Sequence, residues 1–215
     1  MSRPTINDFT LWATQVAVIE YAQDECAAHN QELVQLVLDE TGFYTKPDLG
    51  PDYEIRLPNL DKYANESVAW LVNSITYACR AYLDMPDARI DVGLRAVVLR
   101  NGMHINTHTE SHESDLTVAY WPSGNVDDAG SQVSRQVDRT TAPAFIIEDP
   151  SRHLTDLRLP WETRHSVTIA PRPGMMVIGP NHLPHNMWPY LGDAPFIHIV
   201  AQIKVEWPEG YDERW

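Results

Sequence analysis

Residues 101–121 read NGMHINTHTESHESDLTVAYW. Three histidines crowd into the first half, at positions 104, 108 and 112, and Glu110 follows His108 by two. The second half, Leu116–Trp121, is apolar and β-prone. In extended chain, residues two apart share a face, so His108 and Glu110 aim their side chains into the same volume. Two imidazoles and a carboxylate on one side of an ion, with the other positions open, is the ligand set of non-haem Fe(II) oxygenases. His108 and Glu110 supply two of the three, so a third must come from elsewhere in the chain.

A second group of histidines lies at the end of another β-prone run. Residues 171–189 read PRPGMMVIGPNHLPHNMWP and hold His182 and His185, the latter 77 residues after His108. His185 is the expected third ligand, and His104, His112 and His182 are held in reserve. Each group alone is weak evidence, because histidines are common in polar loops. Together they are stronger, since each closes a strand-like run.

The β-prone runs extend well beyond these two. From residue 89 onward they alternate with turn residues: 90–100, 116–121, 144–147, 166–169, 175–178 and 196–205. Such spacing predicts a sandwich or barrel of antiparallel strands. The stretch 122–143 is rich in Gly, Ser, Asp and Thr and is expected to be an exposed insertion. The first 88 residues differ in character. Residues 9–19 predict an opening strand. Residues 20–40 and 66–85 carry apolar positions at helical spacing, and Pro86 is expected to end the second helix. Residues 41–61, with three prolines and two glycines, predict a loop. The expected architecture is mainly β with flanking α: one domain over 1–215, with strand and helical support over 1–88 and a β core over 89–206.

Composition bounds the partners. The chain has 215 residues, 43% hydrophobic and 21% charged, and a formal net charge of −14. An acidic surface repels phosphate backbones and anionic lipid, which disfavours nucleic acid and membrane as partners. No apolar run reaches the length of a membrane span. The start of the sequence lacks a secretory pattern, and two cysteines, Cys26 and Cys79, are too few for a disulfide framework. A cytoplasmic location with buried free thiols is the expectation. Oligomeric state is not legible.

At the quoted stretches the sequence resembles the 2-oxoglutarate/Fe(II)-dependent oxygenase superfamily, in its prolyl-hydroxylase-like branch. The resemblance covers residues 90–205. It rests on His108-x-Glu110 with the Tyr120-bearing strand after it, on Pro171-x-x-Gly174 with the apolar strand after it, and on His185 with Pro189 four residues on. It implies a double-stranded β-helix, or jelly roll, with helices on one side. It also implies Fe(II) held by His108, Glu110 and His185, with 2-oxoglutarate as co-substrate. Decarboxylation of that co-substrate with dioxygen would give succinate and carbon dioxide and hydroxylate a small-molecule or peptide substrate.

One departure matters. About ten residues after the distal histidine the family carries Arg or Lys for the far carboxylate of 2-oxoglutarate; here the strand opens with Phe196. His198, two residues on, is expected to act as the anchor, charged by the neighbouring anion, with Tyr120 as helper. Arg95, Arg100 or Arg164 could instead reach in, and Tyr120 or Trp121 could simply be core. The alternatives in function are a cupin-like metal enzyme that does not use 2-oxoglutarate, and a non-catalytic binding module with a degenerate site.

Overall fold

The structure is a computed structural model. It describes residues 5–11, 14–45, 55–110, 112–124, 140, 142–150 and 166–207. Most of the insertion expected at 122–143, and Arg164, lie outside the described residues.

Eleven strands and two helices follow in the order β1 (Thr5–Leu11), β2 (Thr14–Glu20), α1 (Gln23–Thr41), β3 (Ile55–Leu57), α2 (Glu66–Leu83), β4 (Arg89–Leu99), β5 (Ile105–His108), β6 (Leu116–Trp121), β7 (Phe145–Glu148), β8 (Ser166–Ile169), β9 (Met175–Pro180), β10 (His185–Met187) and β11 (Phe196–Glu206). They form a seven-stranded sheet, β1-β2-β9-β6-β11-β4-β3, and a four-stranded sheet, β5-β10-β7-β8. The pairings are antiparallel throughout. The eight strands β4–β11 make the jelly roll, and β1, β2 and β3 widen its larger sheet.

The strand period of two assigns each residue of the large sheet to one of two compartments. On β11, Ile197, Ile199, Ala201, Ile203 and Val205 face outward. They bury against Leu33 and Val37 of α1 and Val68, Leu71 and Ile75 of α2. Phe196 faces inward, into a second apolar cluster with Val97, Leu99, Trp121, Phe145 and Met187. The helices therefore cover one face of the large sheet, and the small sheet covers the other. That is the expected arrangement of two facing antiparallel sheets with both helices outside one of them. No helix among the described residues is long and apolar enough to cross a membrane. Cys26 and Cys79 are buried free thiols.

Three local expectations change. The single strand expected over 9–19 is a hairpin, with β1 and β2 paired from Thr5 opposite Glu20 to Leu11 opposite Thr14. An unbroken apolar run does not reveal where a chain reverses. The loop expected over 41–61 contains β3, whose Ile55 and Leu57 bury beside Val98 and Ala96 of β4. A three-residue strand is too short for periodicity to expose. A 3-10 turn, Leu60–Lys62, closes the segment, and within it Asp61 accepts the Leu94 amide at 2.8 Å. Finally, α2 stops at Asp84 in the left-handed conformation (φ 53°), before Pro86 acts. Its start is set by Asn65, whose side chain accepts the amides of Ser67 and Val68.

The turn that launches β9 depends on Gly174. Its φ is +81°, and a β-carbon there would stand 2.6 Å from Cys26 Sγ. Gly174→Ala is expected to cost roughly 2–3 kcal/mol, from left-handed strain and overpacking. In a thermal melt this should read as a fall in Tm of roughly 5–10 °C. Adding Cys26→Ala should recover part of the loss by removing the clash; no recovery would mean that backbone strain alone sets the requirement.

Candidate metal centre

β5 and β10 are neighbours in the small sheet, and His108 and His185 lie directly opposite one another across that ladder. Their rings stand 4.5 Å apart, centroid to centroid. Glu110, just beyond β5, is fixed by its amide, which donates to the Asn181 carbonyl at 3.1 Å. Two short strands and one loop contact thus bring the three side chains together.

Each imidazole has one nitrogen committed to the backbone. His108 Nδ1 donates to the Asn106 carbonyl at 2.8 Å, and His185 Nδ1 to the Leu183 carbonyl at 2.9 Å. A carbonyl only accepts, so both Nδ1 atoms carry the proton; each Nε2 is then a lone-pair ligand in the neutral ring and a donor to Glu110 in the imidazolium. The two Nε2 atoms face Glu110 Oε1, at 3.5 Å from His108 and 3.7 Å from His185. The ligand atoms all lie within 4.8 Å of one another, and among the described residues this is the one cluster of His, Cys, Asp or Glu so placed. Ligands about 2.0–2.2 Å from a common ion fit this spacing with a small contraction. The donor set therefore suits a divalent metal such as Fe(II).

Glu110 has further partners. Arg95 of β4 donates from Nη2 to its Oε1 at 2.6 Å, and Gln202 of β11 donates from Nε2 to its Oε2 at 2.9 Å. Burial by itself would raise the carboxyl pKa. Hydrogen bonds from His108, His185 and Gln202, with the charge of Arg95, outweigh it and hold Glu110 far below the usual carboxylate range. The hydrogen bond with Glu110 in turn raises His108.

A pocket opens beside this cluster, lined by Arg56, Arg95, Val97, Ile105, His108, His198 and Val200. His198 is thus on the pocket wall, as expected, but its state is not the expected one. It is 2% exposed, its ring stacks on Trp121, and burial, followed by the nearby His185 and Arg95, pushes its pKa down to about 3. It is a neutral imidazole, and its Nδ1 is buried without a hydrogen-bond partner. It can exchange a hydrogen bond with a ligand but offers no charge.

Tyr120 does not reach the site. On β6 it faces the helices, where its hydroxyl donates to Asn30 Oδ1 of α1, while Trp121 takes the inward position. The alternation of β6 decides this, and the reading of Tyr120 as a co-substrate helper is corrected by it. Of the reserve histidines, His112 and His182 are exposed and His104 bonds Asn106, so none belongs to the cluster. Among the alternative arginines, Arg95 is at the site, while Arg100 donates to the Phe43 carbonyl and stacks over that ring. Gln202 and Arg56 escaped the sequence reading. Gln202 shares the face of His198 four residues on, so extending the alternation along β11 finds it. Arg56 sits on a strand that the sequence does not reveal.

No protein-family model matches this sequence, and no curated protein does. Solved structures do match in fold. AviO1 from Streptomyces viridochromogenes has a TM-score of 0.57 at 13% identity, over 94% of this chain and 90% of that one. HygX from Streptomyces hygroscopicus, with nickel and 2-oxoglutarate bound, has a TM-score of 0.56 at 13% identity, again over 94% and 90%. A prolyl-4-hydroxylase from Pseudomonas putida has a TM-score of 0.56 at 9% identity, over 87% of this chain and 91% of that one.

Gln202 orients a metal ligand without touching the ion. Gln202→Leu is therefore expected to weaken divalent-metal affinity by roughly 10–100-fold, measured by competition with a chromophoric chelator. Unchanged affinity would mean that Arg95 alone orients Glu110.

Proposed function

We propose that this chain, which has the fold of the 2-oxoglutarate/Fe(II)-dependent oxygenases, is an Fe(II) enzyme that couples oxidative decarboxylation of 2-oxoglutarate to hydroxylation of a small-molecule or peptide substrate. The observation that carries the reading is the convergence of His108 Nε2, His185 Nε2 and Glu110 Oε1 beside an open pocket. Bound iron would supply dioxygen activation. The chain's own residues supply the rest. The two backbone-tethered imidazoles and the buried carboxylate hold the ion on one side. Gln202 and Arg95 fix the carboxylate. Val97, Ile105 and Val200 give the pocket an apolar wall, and His198 offers one neutral hydrogen-bonding nitrogen.

A second reading, a metal enzyme that does not use 2-oxoglutarate, is favoured by one observation. Phe196, at the place where the resemblance calls for Arg, is 1% exposed and packs on Tyr190. The acidic surface supports a substrate other than nucleic acid, and the two free thiols support a reducing, cytoplasmic setting.

Anaerobic protein loaded with Fe(II) should, on admission of air and 2-oxoglutarate, form succinate in step with the co-substrate consumed, even without a substrate to hydroxylate. His185→Ala and Glu110→Ala should reduce succinate to the level of free iron. Succinate formation by wild type at that same level would reject 2-oxoglutarate use and leave the second reading standing.

A further inference from the structure

Where a dicarboxylate co-substrate would put its far end is a question of charge. The inward side of β11 opens with Phe196, directly across from Leu99 of β4 and packed on the Tyr190 ring at 5.6 Å. Met103, Trp121 and Phe145 complete an apolar surround. A carboxylate driven into that surround would meet no cation there, only the partnerless nitrogens Trp121 Nε1 and His198 Nδ1. His198, the next inward residue on the strand, is 2% exposed and stacked on Trp121.

The cations stand on β3 and β4. Arg56 lies opposite Val97 across the β3–β4 ladder, and Arg95 precedes Val97 by two on β4. All three point inward, and Arg56 and Arg95 are diagonal neighbours with Cα atoms about 7–8 Å apart. Both line the pocket that His108 and His198 also line. Arg95, its side chain 29% exposed, bonds Glu110, and Arg56 is exposed. Two guanidinium groups on one wall are a local reversal of sign in a chain of net charge −14. With a divalent ion in place, the wall and the ion together would set positive charge beside the Glu110 carboxylate.

We propose, resting on the 2-oxoglutarate reading above, that the co-substrate runs outward from the metal to the β3–β4 edge: its chelating end lies beside Arg95 and its far carboxylate is held by Arg56. The anchor then comes from β3, a strand outside the eight of the jelly roll, and not from the start of β11. The span between the two guanidinium-bearing residues suits a short diacid. A planar fork grips a carboxylate through two parallel N–H···O bonds, which a neutral imidazole cannot do. Arg56 is accordingly a specificity-determining residue: it selects a dicarboxylic 2-oxo acid over a monocarboxylic one.

The test is calorimetric titration of the full chain loaded with Zn(II), which is redox-inert, using 2-oxoglutarate and pyruvate. Both ligands carry the chelating 2-oxo acid, and only the first carries a second carboxylate. Wild type should prefer 2-oxoglutarate by about tenfold or more, the size of one charge-assisted contact. Arg56→Ala should abolish that preference while leaving pyruvate affinity and zinc content unchanged, and Arg56→Lys should restore part of it. Retention of the full preference by Arg56→Ala would overturn the proposal, as would equal binding of the two acids by wild type. Zinc-loaded wild type that binds neither acid would instead overturn the 2-oxoglutarate reading on which the proposal rests.

Discussion

A carboxylate 6% exposed must be surrounded by donors or it will not stay ionised, and Glu110 is such a group. Its two oxygens gather Arg95 from β4, Gln202 from β11, His108 from β5 and His185 from β10. Those strands belong to both sheets, so satisfying one buried charge ties the two layers of the jelly roll together at one place. The electrostatic requirement and the topology are the same fact viewed at two scales. A fold that failed to bring β4 and β11 over the end of β5 would leave Glu110 desolvated and unpaired.

The strand alternation does the remaining sorting. β6 and β11 each carry two jobs on alternate residues: one set packs the helices and the other lines the interior. Tyr120 and Trp121 are sequence neighbours yet belong to different compartments, one bonded to α1 and the other stacked on His198. The outer compartment is almost wholly apolar and is closed by α1 and α2. The inner one mixes apolar packing with the polar residues of the metal centre, and His198 Nδ1, Trp121 Nε1 and Thr117 Oγ1 are buried there without partners.

This division explains what could be read from the sequence and what could not. The long strands β4, β6 and β11 and both helices were legible, because each spans enough residues for its period to appear. The convergence of His108, Glu110 and His185 was legible because imidazoles and a carboxylate cluster at the ends of β-prone runs. The short strand β3 was not, and Arg56 went with it. Tyr120 was misplaced because a strand's pattern fixes which residues share a face but not which face meets the metal. His198 was read with the pull of a neighbouring anion alone; its burial and the nearby His185 and Arg95, which push its pKa down, belong to the fold and not to the sequence pattern.

The opposition of His108 and His185 across one ladder has a mechanical side. β5 and β10 are only four and three residues long, and they meet across a sequence separation of 77 residues. An ion gripped by both histidines would be a coordinate tie across that interval, a reversible counterpart of a disulfide. In the chain-entropy treatment, closing a loop of that length removes roughly 4–5 kcal/mol of freedom from the unfolded ensemble. Metal supply would then govern the lifetime of the protein as well as its chemistry: a cell short of the ion would hold a pool of chains more easily unfolded and more readily cleared by proteolysis.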